Sequence, residues 1–352
     1  MQITRAVLDE ATAKGLLQKE QSLALWNFLV EREHETPSFK PSHVLYYLGG
    51  MIAIGAMTLF MTLGWERFGG LGLLLIAAGY CALAIALTEF LLGRKHLALP
   101  AGITAVLAVV LVRLAVYGAQ HLLGLWPADG STPSAYRDYH THIDWRWLIM
   151  EFATLAAGTL ALWRYRLAFL VLPVAVTLWY MSMDLTPFLF GGDAAQFFSE
   201  RGKWVSTGFG LGMVLLAFWV DMRSRQSKDF AYWLYIFGVL TFWGGLSSMD
   251  SNSELGKFIY CCINLLLIAI GAALSRRVFA AFGGIGVALY LGHLSYTVFK
   301  DSMLFPVALT AIGLAVVAAG VYWQRHEATI GAWLRSFLPA PMRELVEHRA
   351  SS

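Results

Sequence analysis

The chain has 352 residues, of which 58% are hydrophobic and only 14% are charged, and its mean hydropathy is +0.59. Soluble chains carry about 25% charged residues, so this composition argues against a soluble globular protein and predicts one that crosses the lipid bilayer several times. The formal net charge of +3 is small and dispersed, without a cluster of Lys and Arg among aromatic residues, which excludes nucleic acid as a partner.

Residues 1–42 are predicted to form a cytoplasmic helical hairpin. Segments 4–14 and 18–33 carry apolar side chains at helical spacing, Gly15 between them suits a helix end, and Pro41 lies beyond the second helix. A basic flank followed by an apolar core and a small-residue cleavage site is not evident, so the first span is expected to act as the insertion signal. The hairpin is a candidate site for a protein partner.

Ten apolar runs of about 20 residues follow the hairpin, each long enough for a transmembrane helix. The predicted spans are residues 43–63, 69–91, 97–120, 146–164, 167–189, 204–222, 230–249, 257–274, 278–298 and 302–323. The sequence therefore predicts an all-α fold, a polytopic transmembrane helix bundle of about ten spans over residues 43–323. Most of the connections between the spans are very short.

The distribution of Lys and Arg supports this number of spans, because these residues accumulate in cytoplasmic loops. With the N-terminus inside, 18 of the 26 Lys and Arg residues lie in predicted cytoplasmic segments, and Arg113 lies within a span. The seven on the outside are Arg67, Arg137, Arg146, Arg201, Lys203, Lys257 and Lys300. This bias predicts an even number of spans and two cytoplasmic termini.

Residues 324–352 are predicted to form a cytoplasmic amphipathic tail. The apolar stripe of this tail consists of Ile330, Trp333, Leu334, Phe337 and Leu338. A helix with such a stripe lies either in the inner interface of the membrane or against the cytoplasmic face of the protein itself. The sequence leaves both arrangements open.

Residues 11–21, 47–50 and 63–67 near the beginning of the chain and residues 298–306 and 338–343 near its end carry a resemblance to known sequences. With these segments the chain resembles an uncharacterised family of bacterial multi-pass membrane proteins with an N-terminal helical hairpin. It implies a membrane fold and a location in the bacterial inner (cytoplasmic) membrane. The family supplies no activity and no catalytic residues that could be assigned to this chain.

Four ionisable side chains fall within the predicted spans, where a charge costs at least about 2.5–3.5 kcal/mol and indicates a functional site. They are Arg113, Glu151, Asp184 and His293. A rise of 1.5 Å per residue puts all four at roughly 22–25 Å from the cytoplasmic edge. If their helices are neighbours, Arg113 neutralises one carboxylate, and the other, beside His293, binds a proton or a cationic group. The alternatives are a structural clamp between helices, or side chains that reach up to water.

Other polar and small residues in the spans have structural interpretations. Glu89 and Asp221 lie at the inner ends of spans, where pairing with the basic rim is expected. Gly208, Gly210 and Gly212 resemble a nucleotide-binding loop only superficially, since no strand precedes them, and we expect them to permit close helix packing.

The longest outside loop, residues 122–145, contains a regular alternation of acidic and His residues. These are Asp138, His140, His142 and Asp144. Two His and a carboxylate can bind zinc whether the segment is a strand or a helix, and His121 is a candidate for a further ligand. A single His-x-His spacing without an HExxH helix or a Cys pair is a weak metal signal. We therefore expect a polar loop, without a metal or another cofactor, that acts as a lid.

Three classes of function fit these observations. The first is transport of a small solute or a proton through the buried charged site. The second is a membrane scaffold or sensor subunit that binds a partner through its cytoplasmic tails. The third, an intramembrane enzyme, needs a nucleophile, base or metal in a water-filled cavity, and only the loop with His140 and His142 offers one. We expect transport and no enzymatic activity.

Overall fold

The computed structural model of the chain describes residues 41–126, 145–190, 199–223, 229–249, 253–274 and 276–299, with Ser251 and separate residues of both terminal segments. Within this part every regular element is helical. The α-helices are α1 (Pro41–Gly93), α2 (Ala98–Leu122), α3 (Trp145–Tyr165), α4 (Val171–Phe190), α5 (Glu200–Arg223), α6 (Tyr232–Ser247), α7 (Glu254–Leu274) and α8 (Arg277–Phe299). A short 3-10 turn, Ala168–Leu170, leads into α4.

Six helices of the described part are long and apolar enough to cross a membrane. They are Phe68–Gly93, Ala98–Leu122, Ala168–Phe190, Glu200–Arg223, Glu254–Leu274 and Arg277–Tyr296. Their outer surfaces expose large apolar side chains such as Leu75, Trp204 and Leu266, which are 63%, 66% and 58% exposed. Such surfaces are stable in contact with lipid rather than with water. The chain is therefore an all-α membrane protein that crosses the bilayer more than once.

The chain divides into two compact units, Met1–Ala53 and Ile54–Ser352. In the first unit Leu8 and Thr12 are helical, Gly15 adopts a φ of 70° in a turn, and residues 19–25 are helical again. Most of the predicted hairpin lies outside the described residues. In the second unit, individual residues between Pro306 and Ser336 are helical, and the other residues of the last predicted span and tail are not described.

The first two predicted spans are joined differently from the expectation. The segment 64–68, predicted as a loop, is helical, and the interruption of α1 is confined to Gly69, with φ 58° and ψ −175°. A side chain would be strained in this backbone region, which glycine occupies readily. A single glycine can therefore break the helix without a longer connecting loop.

In the second unit most helices pack against a neighbour in sequence, and some also pack against a more distant helix. Helix α3 packs between α2 and α4, α4 also packs against α5 and α6, and α8 packs against α7 and α6. Buried apolar residues of α4, α5, α6, α7 and α8 form the largest core cluster, which includes Val171, Tyr235 and Phe279. Pro187 lies inside α4, within its last turn. Helix α4 is thus the element shared by the two halves of this unit.

Helices α5 and α6 approach each other closely at glycine. A Cβ atom on Gly210 would lie 2.2 Å from the backbone nitrogen of Phe242, and one on Gly245 would lie 2.8 Å from the backbone nitrogen of Thr207. In contrast, a Cβ on Gly208 or Gly212 would meet nothing within 4 Å. Of the three glycines expected to permit close packing in α5, only Gly210 does so.

Ion pairs join helix ends at the side predicted to be cytoplasmic. Arg164 donates to Glu89 at 3.0 Å, and Arg276 donates through Nη2 to both carboxylate oxygens of Asp221 at 2.9 and 3.1 Å. Arg276 also binds Asp229. Burial lowers the pKa of Arg276, but the hydrogen bonds and charges of Asp229 and Asp221 outweigh this effect and raise it. The acidic residues thus pair with the basic rim, but with partners from other helices rather than with neighbours in sequence.

Candidate functional site

Three of the four predicted site residues come together from neighbouring helices. Arg113 lies on α2, Glu151 on α3 and Asp184 on α4. Glu151 is completely buried and Asp184 is 5% exposed, whereas Arg113 is half-buried. Helices α2, α3 and α4 are in mutual contact, so their facing sides enclose these three side chains. We call this set the charged group.

Two aromatic side chains hold Arg113. Its guanidinium carbon lies 4.4 Å from the ring centre of Trp147 and 5.8 Å from that of Tyr180. A cation over an aromatic face is stabilised by about 0.5–2 kcal/mol, and the stabilisation lies at the upper end of this range when the cation is removed from water. The Nε1 group of Trp147 also donates a hydrogen bond to Oδ2 of Asp184. Trp147 therefore contacts both the cation and one acid of the charged group.

The two carboxyl groups are electrostatic neighbours. Glu151 interacts with Asp184, Arg113 and Trp147, and Asp184 interacts with the same guanidinium and indole. Neither carboxylate oxygen of Glu151 accepts a hydrogen bond from the residues described, and Nη2 of Arg113 donates none to them. Buried polar atoms are nearly always satisfied by the protein or by water. The charged group therefore offers acceptors and a donor to a proton, water or small solute.

An aromatic layer covers the charged group toward the end of α2. The rings of Tyr117 and Trp126 lie 5.3 Å apart, and the guanidinium of Arg146 lies 4.8 Å from the Trp126 ring centre. Gln120 donates to the backbone carbonyl of Arg146 at 2.9 Å, which joins the end of α2 to the beginning of α3. With Leu73, Met150 and Trp147, this layer forms a buried apolar cluster. It restricts access of water to the acids from this side.

His293 does not belong to this arrangement. Its Nε2 lies 3.9 Å from Oε1 of Glu254, at the beginning of α7, and it is not among the electrostatic neighbours of Glu151 or Asp184. The expectation that a carboxylate of the charged group lies beside His293 is therefore wrong. The four residues were grouped by depth alone, whereas α8, which carries His293, packs against α7 and α6.

The metal candidates of the outside loop, Asp138, His140, His142 and Asp144, lie outside the described residues. Where the structure does describe the chain, no group of three or more His, Cys, Asp or Glu side chains is arranged to hold a metal ion. The expectation of a polar loop without metal stays a prediction.

Trp147 and Tyr180 are site residues that the sequence analysis missed. Each lies four positions before an acid of the charged group, at Glu151 and Asp184 respectively. Side chains four apart share one face of a helix, so this spacing was a usable signal. An aromatic residue in an apolar helix is nevertheless more often part of the core or the membrane interface.

Comparisons with known proteins identify no relative of this chain. No family model matches the sequence, and neither a curated protein nor a solved structure matches it.

Trp147→Phe is expected to lower the free energy of unfolding by about 1–3 kcal/mol, because it keeps a ring beneath Arg113 but removes the donor to buried Asp184. The measurement is thermal unfolding in detergent, followed by circular dichroism of the helices. Trp163→Phe on the same helix is the matched control. Trp163 is 74% exposed, so its replacement should change the free energy of unfolding little. Equal losses from the two substitutions would show that the Trp147 indole contributes only apolar contact.

Proposed function

We propose that this chain is a membrane transporter for a small solute or a proton, and that the charged group binds the proton. The observation that carries the proposal is the composition of the group, with one guanidinium against two carboxyl groups in a buried site. One cation balances one carboxylate, so the group is electrically neutral when it holds one further proton. Two ionised carboxylates in contact, away from water, would be strongly unfavourable.

The location of the group supports movement of a proton rather than permanent storage. Its acids lie on the inner faces of α3 and α4 beneath an aromatic layer, and Arg113 is only half-buried. Ionisable side chains inside a membrane mark ion and proton pathways in many transporters. A partly accessible cation beside two buried acids suits a site that exchanges its proton with one side of the membrane.

Proteoliposomes test this proposal. A pH-sensitive dye inside the vesicles reports proton entry driven by a potassium diffusion potential, and Glu151→Gln is expected to reduce the protein-dependent rate at least about tenfold, since an amide cannot carry the proton. The control is Glu89→Gln, which changes an acid that is 47% exposed at a helix end and should leave the rate unchanged.

Either of two results would contradict proton transport. One is a rate for the wild type equal to that of protein-free vesicles, and the other is a normal rate for Glu151→Gln. Both results would favour the alternative function, a membrane scaffold or sensor subunit that binds a partner through its cytoplasmic tails. We propose the N-terminal hairpin as the contact site for that partner.

We further propose ten spans, two cytoplasmic termini and a place in the bacterial inner membrane, in keeping with the resemblance to the uncharacterised bacterial family. The ion pairs support this arrangement. Glu89–Arg164 and Asp221–Arg276 join helix ends that the topology puts on the cytoplasmic side, and His293–Glu254 joins ends that it puts outside. In this topology α3 and α6 are also spans, although α6 has only 16 residues and extends about 24 Å.

Cysteine labelling in intact cells checks the topology. After replacement of the three native cysteines, single cysteines introduced within residues 128–134 are expected to react with a membrane-impermeant maleimide, because that loop lies outside. Cysteines at residues 93 and 225 are expected to react only after the cells are opened. Labelling at residue 93 or 225 in intact cells, or none within 128–134, would exclude the ten-span topology.

A further inference from the structure

The two acids of the charged group differ in their hydrogen bonding. Nε1 of Trp147 donates to Oδ2 of Asp184. Neither carboxylate oxygen of Glu151 accepts a hydrogen bond from the residues described, although the same indole is one of its electrostatic neighbours. An indole has a single N–H group, and here it serves Asp184. The charged group is therefore asymmetric with respect to its two carboxyl groups.

This asymmetry follows from the sequence and packing of α3. Trp147 lies four residues before Glu151 on α3, and side chains four apart share one face of a helix. The neighbouring helix α4, which packs against α3, carries Asp184. The indole therefore donates across to the acid of the other helix rather than along α3 to Glu151.

The surroundings of the two acids favour different protonation states. A hydrogen-bond donor stabilises the ionised form of a carboxyl group, whereas burial without a donor stabilises the neutral form. Asp184 accepts the indole hydrogen bond, and Glu151 is completely buried without such a bond from the residues described. A neutral carboxyl group also has an O–H donor, and Asp184 is an interaction partner of Glu151. A proton on Glu151 therefore leaves both donors directed toward the ionised Asp184.

The other charged group of the site acts on both acids. Arg113 is an electrostatic neighbour of Glu151 and of Asp184, so it balances one negative charge without selecting the acid that carries it. Helix α3 also packs against the 3-10 turn, which has no titratable side chain. The remaining titratable side chains near the acids are Tyr117 of α2 and Tyr180 of α4. Both are neutral at physiological pH in their ordinary state, so the indole is the group that distinguishes the two acids.

We propose that Glu151 holds the exchangeable proton of the charged group, and that Trp147 is a positioning residue that keeps Asp184 ionised beside Arg113. Release of the proton to water leaves Glu151 ionised, and uptake of the next proton restores the neutral carboxyl group. This inference rests on the proposed function only in that the charged group holds a proton. It does not require the proton to cross the membrane.

Infrared spectroscopy of isotopically labelled protein tests which acid holds the proton. A protonated carboxyl group has a carbonyl band separate from those of ionised carboxylates, and ¹³C in the side-chain carboxyl lowers its frequency. In wild-type protein made by cell-free synthesis and held in ester-free detergent at neutral pH, labelled glutamate is expected to shift this band. Labelled aspartate should leave it in place, and Glu151→Gln should abolish it.

Trp147→Phe tests the positioning role. Without the indole N–H the proton should be shared between the acids, because a hydrogen bond to a charged group changes such an equilibrium at least about tenfold. Labelled aspartate is then expected to shift part of the band. In the matched control Trp163→Phe, at an exposed residue of the same helix, labelled aspartate should shift none of it.

The possible outcomes separate this inference from transport. A wild-type band that shifts with labelled aspartate, or the absence of any protonated carboxyl band, would overturn the assignment to Glu151. A Trp147→Phe band that still shifts only with labelled glutamate would overturn the role of Trp147. A wild-type protein with the glutamate band that carries no protons into vesicles would support the assignment and contradict transport alone.

Discussion

Arg113→Met is expected to lower the free energy of unfolding by about 3–5 kcal/mol, the usual cost of leaving a buried charge without its partner. The guanidinium is the cation acting on both Glu151 and Asp184, and methionine supplies a similar length without charge. Its removal leaves two acids facing each other in a site that water reaches poorly. A marked loss of folded protein on expression should accompany the change.

The double variant Arg113→Met with Glu151→Gln distinguishes this mechanism from loss of packing. If the cost comes from stranded acids, removing one acid should recover about 1–3 kcal/mol, within the range of coupling between contacting residues. Thermal unfolding in detergent and the yield of monodisperse protein are the measurements. Additive losses in the double variant would show that Arg113 stabilises the bundle through its aromatic contacts alone.

Gly210→Ala is expected to lower the free energy of unfolding by about 1–3 kcal/mol, the usual cost of overpacking. The added Cβ would lie 2.2 Å from the backbone nitrogen of Phe242. Backbone atoms cannot move aside as a flexible side chain can, so α5 and α6 must separate. Separation would also loosen the core around Val239 and Ala217.

Gly208→Ala is the matched control for this change, since it adds the same methyl group two residues away on α5, where nothing lies within 4 Å. Alanine is the better helix former by about 1 kcal/mol, so this control should be neutral or slightly stabilising. A Gly210→Ala protein as stable as the control would mean that the helices are not held together at this crossing.

Helix positions were the most predictable part of the fold. The run 97–120 corresponds to α2 at Ala98–Leu122, and 278–298 corresponds to α8 at Arg277–Phe299. A continuous apolar run is a strong signal, because helices satisfy their own backbone in lipid. The predicted spans anticipate a break in α1 but place it in a loop at 64–68, since Gly69 is one of two adjacent glycines and only its backbone angles distinguish it.

The sequence predicts the depth of the charged residues in the membrane but not which of them are in contact. Counting residues places a side chain along the membrane normal and contains no information about which helices touch. Arg113, Glu151 and Asp184 meet because α2, α3 and α4 are consecutive and packed together, whereas His293 belongs to a helix packed elsewhere. For the same reason the partner of Asp221, Arg276, could not be inferred from a separation of 55 residues.

Pro187 removes one backbone hydrogen bond from α4 close to Asp184. A proline cannot donate to the carbonyl four residues earlier, which in α4 belongs to Met183. The turn that lacks this bond carries Asp184 on the face toward α2 and α3. A bend at this turn would displace Asp184 relative to Trp147 and Arg113. The bend of α4 and the protonation of Asp184 would then be thermodynamically linked, because each would shift the equilibrium of the other by the same free energy.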